Sequence, residues 1–376
     1  MPGRLPLGII LLSLVATLAY PLSTALAEET NEAAAPTEAD TAPLMLDSQV
    51  EVPSFLFSPS IEEEPEAPEM AFTPPDPLEP PPVKTIDIML DWYLSPQHAA
   101  FVIAQARDLF AVQGLQVTLS TPADPSVPTK LLAAGEVDFA LSRQPQLHLQ
   151  VHKGAPLVRI ATLIETPMTA VIIAGEQPPE NSEEFAALHY GFATQDSREM
   201  VLSQLIPETP LVSENLPENL HYDAADALRE QRVDAVADGF FHFLPPQLAN
   251  DGVATTVLRT AKFEIPHYDG LILLANSEKI HRDRDVISRL VTALEKASQW
   301  IVEHPEEAWQ LMIQAQPILD NEINQGAWND ILRRMALRPA ALDYRRYAGF
   351  EAFLHQRGQI DSPYSVERLA IDPHAP

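Results

Sequence analysis

The chain contains no cysteine. That removes disulfides, cysteine nucleophiles, iron–sulfur clusters, thiolate zinc sites and a lipid-modified cysteine at a mature N-terminus. Positive charge is scarce, with 24 Lys and Arg against 53 Asp and Glu and a formal net charge of −29. Nothing in that balance offsets phosphate repulsion, so nucleic acid is excluded as a partner. Long apolar runs are few. The most marked follows Arg4, from Leu5 to about Ala19, and leads to Pro21 and Ala25-Leu26-Ala27; a membrane crossing takes about twenty apolar residues, more than this run supplies. The pattern is that of a signal peptide with an A-x-A cleavage site. Residues 1–27 are therefore expected to direct export to the periplasm, and a membrane is expected only through a partner or an uncleaved N-terminal anchor. Catalytic signatures are missing too: there is no Gly-x-Ser-x-Gly, His-Glu-x-x-His or phosphate loop, so no catalytic residue and no cofactor is expected.

What is present begins with a biased segment. Between Glu28 and Pro82 there are fourteen acidic residues, twelve prolines and no basic residue. Such a composition buries too little apolar surface to offset chain entropy, and residues 28–83 are expected to form an acidic, Pro-rich linker.

From Lys84 onward strand and helix signals alternate. Strands are expected at 85–90, 115–119, 137–141, 157–164 and 169–174, with helices at 97–113, 126–134 and 144–153 between them; Gly114 marks the first helix end. A second unit follows, with a strand at 190–193 and a helix at 196–205 that Asp196 and Glu199 would cap. Leu228-Arg-Glu-Gln-Arg-Val-Asp-Ala-Val echoes Leu132-Ala-Ala-Gly-Glu-Val-Asp-Phe-Ala, which points to two lobes of similar construction. After a strand at 271–275 only helical periodicity remains. The fold class is α/β with mostly parallel sheets. The expected division is 84–170 with 271–360 as the first lobe and its C-terminal helices, 171–270 as the second lobe, and 361–376 as a tail.

Ligands of α/β sheets bind beyond the carboxyl ends of strands. Asp91, Trp92, Tyr93 and His98 lie at that end of the first strand, where Ser95 and Pro96 open a helix. Trp92 would stack on a flat ring or pack the core, Asp91 would accept from a ligand N–H or cap the loop, and His98 would face the cleft or be a buried structural histidine. Ser142 and Gln144 hold the same position after the third strand; Gln146 and His148 sit further along that helix. Thr166 ends a strand. Phe240, Phe241, Phe243 and Tyr268 offer an aromatic wall. His148 and His152 stand four apart on a helix, but no third ligand is near and no metal is expected.

Several stretches resemble the thiamine-pyrimidine-precursor binding proteins of ABC importers: Asp91-Trp92 with His98, Ala104-Gln105, Gly114-Leu115-x-Val117, Pro122-Ala-Asp-Pro125, Ala133-x-Gly135-x-Val-Asp138 and Gln144-Pro-Gln-Leu-His-Leu-Gln150. Glu165-Thr-Pro167, Pro266-His-Tyr-Asp269, His304-Pro-Glu-Glu-Ala-Trp309 and Ala336-Leu-Arg-Pro-Ala340 extend the resemblance over roughly residues 85–357. It implies a type II periplasmic-binding-protein fold, two α/β lobes joined by strands crossing near 169–173 and 271–274. It also implies a small-molecule ligand held by Asp91, Trp92, Tyr93, His98, Ser142, Gln144, Thr166, Phe240 and Tyr268, and an ABC permease as partner. A related branch consists of pyridoxal-phosphate-consuming pyrimidine synthases; their lysine and histidine fall on Ser142 and Gln146 here, which argues against that enzyme. The resemblance places a glycine-rich turn near Thr194-Gln-Asp196 and carboxylates after Phe243 and Asp269 that this second lobe lacks. The alternative function is a ligand-sensing or scaffolding module tethered near a membrane partner.

Overall fold

A computed structural model describes residues 83–205 and 216–375; the expected signal peptide and linker lie outside them. The chain builds two five-stranded sheets. In the first, β1 (Lys84–Met89), β2 (Leu115–Ser120), β3 (Phe139–Ser142), β4 (Leu157–Ile164) and β10 (Leu271–Asn276) lie in the order β2-β1-β3-β10-β4. In the second, β5 (Thr169–Ala174), β6 (Tyr190–Phe192), β7 (Glu218–Asn219), β8 (Ala235–Phe240) and β9 (Thr255–Arg259) lie in the order β7-β6-β8-β5-β9. Each sheet carries one strand that runs against its neighbours, β10 in the first and β5 in the second.

The two sheets share a construction detail. After the helix α3 (Val127–Ala134), Gly135 takes φ +79, and Asp138 then accepts from the Asp87 amide within β1 at 2.9 Å. In the second sheet Gln231 takes φ 58, and Asp234 accepts from the His189 amide at 2.8 Å. The echoed Val-Asp motif thus ties the helix exit back to the preceding parallel strand of its sheet in the same way twice.

The first sheet is covered by helices on both faces. Ile86, Ile88 and Leu90 pack against α1 (Ala99–Ala106) and the long helix α9 (Ile280–Glu303), whose Ile287, Leu290, Val291, Leu294, Ala297 and Ile301 recur every three or four residues. Each such Leu or Ile contributes roughly 1.5–3 kcal/mol on burial. The other face takes Leu147 and Val151 of α4 (Gln144–His152), and Tyr347 of the later helix that spans Tyr344–Gln356.

Four details differ from expectation. The helix expected over 97–113 is a 3-10 turn, then α1, then a break at Asp108 in the left-handed region (φ 54), then α2 (Leu109–Val112). Asp196 does not cap the next helix; Ser197–Leu202 is π-helical and the Asp196 carboxylate pairs elsewhere. Residues 169–173 and 271–274 lie inside β5 and β10, so the chain passes between sheets just before them, at 165–168 and 260–270. These passages meet at Gly270, whose amide donates to Ile164 and where a Cβ would run into the Thr166 carbonyl. The last segment, expected as a tail after the lobe-1 helices, packs onto that lobe: Val366, Leu369 and Ala370 are buried and the Ile371 amide donates to Arg159 at 2.9 Å. Arg159 returns the contact, its buried guanidinium donating to the carbonyls of Pro339, Ala340, Ala341 and Ile371.

Candidate functional site

The carboxyl ends of β1 and β3 face those of β6 and β8 across a cleft. The turn after β1 is set by His98, which is fully buried: its Nδ1 accepts from the Ser95 amide at 3.1 Å, leaving Nε2–H to donate to Asp91 Oδ1 at 2.9 Å. His98 therefore orients Asp91 and does not itself face the cleft. The adjoining Ser95 hydroxyl is buried without any hydrogen-bond partner.

The segment after β3 divides its side chains between two directions. Arg143 is extended (φ −114, ψ 151), so its neighbours point one way and it points the other. Ser142 donates to Gln146 at 2.7 Å, and Gln144 accepts from the Asp269 amide at 2.8 Å, both inside the lobe. Arg143 reaches across the cleft, donating to the Thr194 hydroxyl, to Asp196 at 3.3 Å, and lying 3.9 Å from Asp238. Burial lowers its pKa, but the two carboxylates outweigh that and raise it overall. Asp238 is pushed above the usual carboxylate range by burial, against the pull of Arg143.

Aromatic rings close the cleft above this floor. Trp92 meets Tyr222 edge-on with centroids 4.7 Å apart and Phe240 at 5.2 Å, and Tyr93 lies 4.3 Å from Tyr222. The Tyr222 hydroxyl donates to the Pro122 carbonyl at 2.9 Å, while His221 with Asp124 and His242 with Asp330 make further hydrogen-bonded contacts across the cleft. The lobes are thus in the closed arrangement. Between them lies a cavity of about 460 Å³, within the range of small-molecule sites. Its walls are Trp92, Tyr93, Tyr222, Phe240 and Phe243, with the Ser95 and Asp238 positions also at its surface. A second space of about 10 Å³, enough for about one water, lies among Asp91, Trp92, Arg143, Gln146, Thr194 and Asp238.

Of the nine expected ligand residues, Asp91, Trp92, Tyr93 and Phe240 line these spaces. His98, Ser142, Gln144, Thr166 and Tyr268 do not. Thr166 accepts from Arg334 at 2.7 Å, and Tyr268 is buried against Phe350. Phe241 stacks under Arg259, away from the cavity, whereas Gln146 does reach the floor. Arg143, Thr194, Asp196, Asp238 and Tyr222 escaped the sequence reading. Arg143 did leave a signal, as the single lysine or arginine between Lys130 and Lys153 in a strongly acidic chain. The second lobe does bring carboxylates to the cleft, from Asp196 and Asp238 in place of the positions where the resemblance put them.

His148 and His152 bind a carboxylate: Glu351 accepts from His148 Nδ1 at 2.5 Å and lies 2.9 Å from His152 Nε2. Among the described residues no cluster of three or more His, Asp or Glu is arranged to hold a metal ion, and no helix is long and apolar enough to cross a membrane.

Known proteins are similar to this chain in sequence or in fold. A Haemophilus influenzae protein whose name assigns it to thiamine biosynthesis is 34% identical over 289 residues, covering 76% of this chain and 91% of its own. The formylaminopyrimidine-binding protein of Halalkalibacterium halodurans is 25% identical, covering 67% of this chain and 78% of its own. A 4-amino-5-hydroxymethyl-2-methylpyrimidine phosphate synthase of Legionella pneumophila is 23% identical, covering 64% and 76%. Among solved structures, the periplasmic aliphatic sulphonate binding protein SsuA of Escherichia coli superposes with a TM-score of 0.56 at 14% identity, covering 76% of this chain and 91% of its own, which establishes the type II periplasmic-binding-protein fold. A family model described as NMT1/THI5 like matches residues 95–308, more than half of the 376 residues. With two lobes closed over an aromatic cleft and these relatives in sequence, the chain belongs to the NMT1/THI5-like family.

Proposed function

We propose that the protein is an exported solute-binding protein that captures a small heteroaromatic molecule, a thiamine pyrimidine precursor, and delivers it to the permease of an ABC importer. The observation that carries this reading is the aromatic enclosure: Trp92 and Tyr93 from one lobe meet Tyr222 and Phe240 from the other around one 460 Å³ cavity. Flat π faces favour a flat ring, by about 0.5–1.5 kcal/mol per aromatic pair beyond area burial. Asp91, held by His98, is an acceptor for ring or exocyclic N–H groups. Closure of both lobes over the ligand gives the permease a form to distinguish from the empty protein.

The synthase activity named for one relative is not carried over. Where the resemblance places a Schiff-base lysine and a histidine, this chain has Ser142 and Gln146, bonded to each other at 2.7 Å. The test is calorimetry of the purified protein with formylaminopyrimidine and hydroxymethylpyrimidine. Saturable binding of either is expected. Binding of neither, with tight binding of an alkanesulfonate or an amino acid, overturns the ligand assignment. Mass spectrometry of the protein recovered from the periplasm is expected to find Glu28 as the first residue.

A further inference from the structure

The floor of the cleft contains a complete anion cradle, and the protein fills it with its own carboxylate. The Ala193 amide donates to Asp238 Oδ1 and Oδ2 at 3.0 and 3.1 Å, the Thr194 amide to Oδ2 at 3.0 Å, and the Thr194 hydroxyl to Oδ2 at 3.0 Å. Arg143 donates to that hydroxyl and stands 3.9 Å from the same carboxylate oxygen. Two successive backbone amides, a hydroxyl and a guanidinium converging on one point are the donor set that holds a phosphate, sulfonate or carboxylate in a binding protein. Here the occupant comes from β8, and its 2% side-chain exposure leaves no room beside it.

The charge around the cradle reinforces the exclusion. Arg143 is the single cation in contact with the floor among the described residues, and it is matched by Asp196 and Asp238, with Asp91 as a third carboxylate on the opposite wall. An incoming anion would find no unpaired donor and an excess of negative charge at close range. A neutral or protonated ring finds acceptors.

We infer that Asp238 is a specificity-determining residue, an internal anion that occupies the cleft's anion cradle and restricts the ligand to neutral or cationic heteroaromatic compounds, rejecting their phosphorylated or sulfonated forms. This rests on the cleft being the ligand site, but the cradle can be tested without any ligand of the proposed class.

The experiment uses the wild-type chain, Asp238→Ala and Asp238→Asn, with thermal unfolding in sodium sulfate and in sodium chloride at equal ionic strength. Asp238→Ala frees the amides and the hydroxyl, so sulfate at well above its Kd is expected to raise its Tm by about 2–4 °C over chloride. The wild type and Asp238→Asn, whose amide oxygen still fills the cradle, are expected to show only the general stabilisation that sulfate gives by exclusion from the surface, against which the Asp238→Ala rise is read. An equal rise in wild type and Asp238→Ala, or none in Asp238→Ala, overturns the inference. So does failure of Asp238→Ala to fold in sulfate as well as in chloride, because an exogenous anion should replace the lost carboxylate. A second arm uses wild type only, comparing an aminopyrimidine with its phosphomonoester by calorimetry. The phosphomonoester is expected to bind at least about tenfold more weakly, a difference of about 1.4 kcal/mol; equal affinity overturns the inference. If no aminopyrimidine binds but the sulfate result is obtained, the proposed function fails and the occupation of the anion cradle by Asp238 stands.

Discussion

Replacing Arg143 by methionine separates the energetics of lobe closure from those of folding. The side chain keeps its apolar stem, and the guanidinium that bridges Thr194 and Asp196 is lost. In the closed form Asp196 and Asp238 have side-chain exposures of 3% and 2%, so neither carboxylate reaches water. Asp238 keeps the Ala193 and Thr194 donors, and the loss falls chiefly on Asp196. Removing one partner of a buried pair costs about 3–5 kcal/mol because the other charge is left uncompensated. When the lobes part, Asp196 rehydrates and that cost is relieved. The penalty therefore acts on the closed form, and ligand affinity, which depends on the closed population, falls on the order of 10²- to 10³-fold. Calorimetry with the aminopyrimidine measures the affinity, and small-angle scattering of the empty protein should report a larger radius of gyration. Arg143→Met that stays as compact as wild type and binds within about threefold of it refutes the reasoning.

Three further outcomes follow from the geometry. Ser95→Ala removes a buried hydroxyl that has no partner, so the protein is expected to unfold within about 0.5 kcal/mol of wild type or to be slightly more stable; a loss above about 1 kcal/mol in chemical denaturation contradicts the absence of a partner. Gly270→Ala drives a Cβ into the Thr166 backbone and should cost about 1–3 kcal/mol, seen as a lower denaturant midpoint, whereas Gly349→Ala meets nothing within 4 Å in its helix and should be neutral or stabilising. Burial holds the His148 imidazole below its ordinary 6.5, against the bond to Glu351. The unfolded chain then binds a proton that the folded chain refuses, so stability is full above about pH 6.5 and declines as pH falls toward the folded pKa. His242, also depressed by burial, acts in the same direction. Tm is expected to fall between pH 7 and pH 5, with a shallower slope in His148→Gln; an unchanged slope refutes the contribution of His148.

Local chemistry made much of the fold legible. Ser95-Pro96 opens the helix after β1, Gly114 and Gly135 take the left-handed turns that end helices, and the repeated Val-Asp motif returns in both lobes as the same carboxylate-to-amide tie. The site was legible only in its first half. Asp91, Trp92 and Tyr93 stand at a strand's carboxyl end, where position alone marks them. His98 was identified by proximity, yet its ring nitrogens are both engaged with its own turn. Position after β3 points to Ser142 and Gln144, but the structure turns both inward and Arg143 into the cleft, because an extended residue faces away from both neighbours and the pattern of apolar residues does not say which face is the cleft.

Signals that act within one turn or one strand, such as proline and glycine placement, polar–apolar alternation and helical periodicity, are written in the order of residues, and they determined two α/β lobes with helices after them. Contacts between residues far apart in the chain are not. Arg143 meets Asp196 and Thr194 more than fifty residues later, and Trp92 meets Tyr222 and Phe240 only when the lobes close. Whether a buried carboxylate is a ligand contact or the occupant of its own cradle depends on which amides converge on it, and only the tertiary structure brings the Ala193 and Thr194 amides to Asp238.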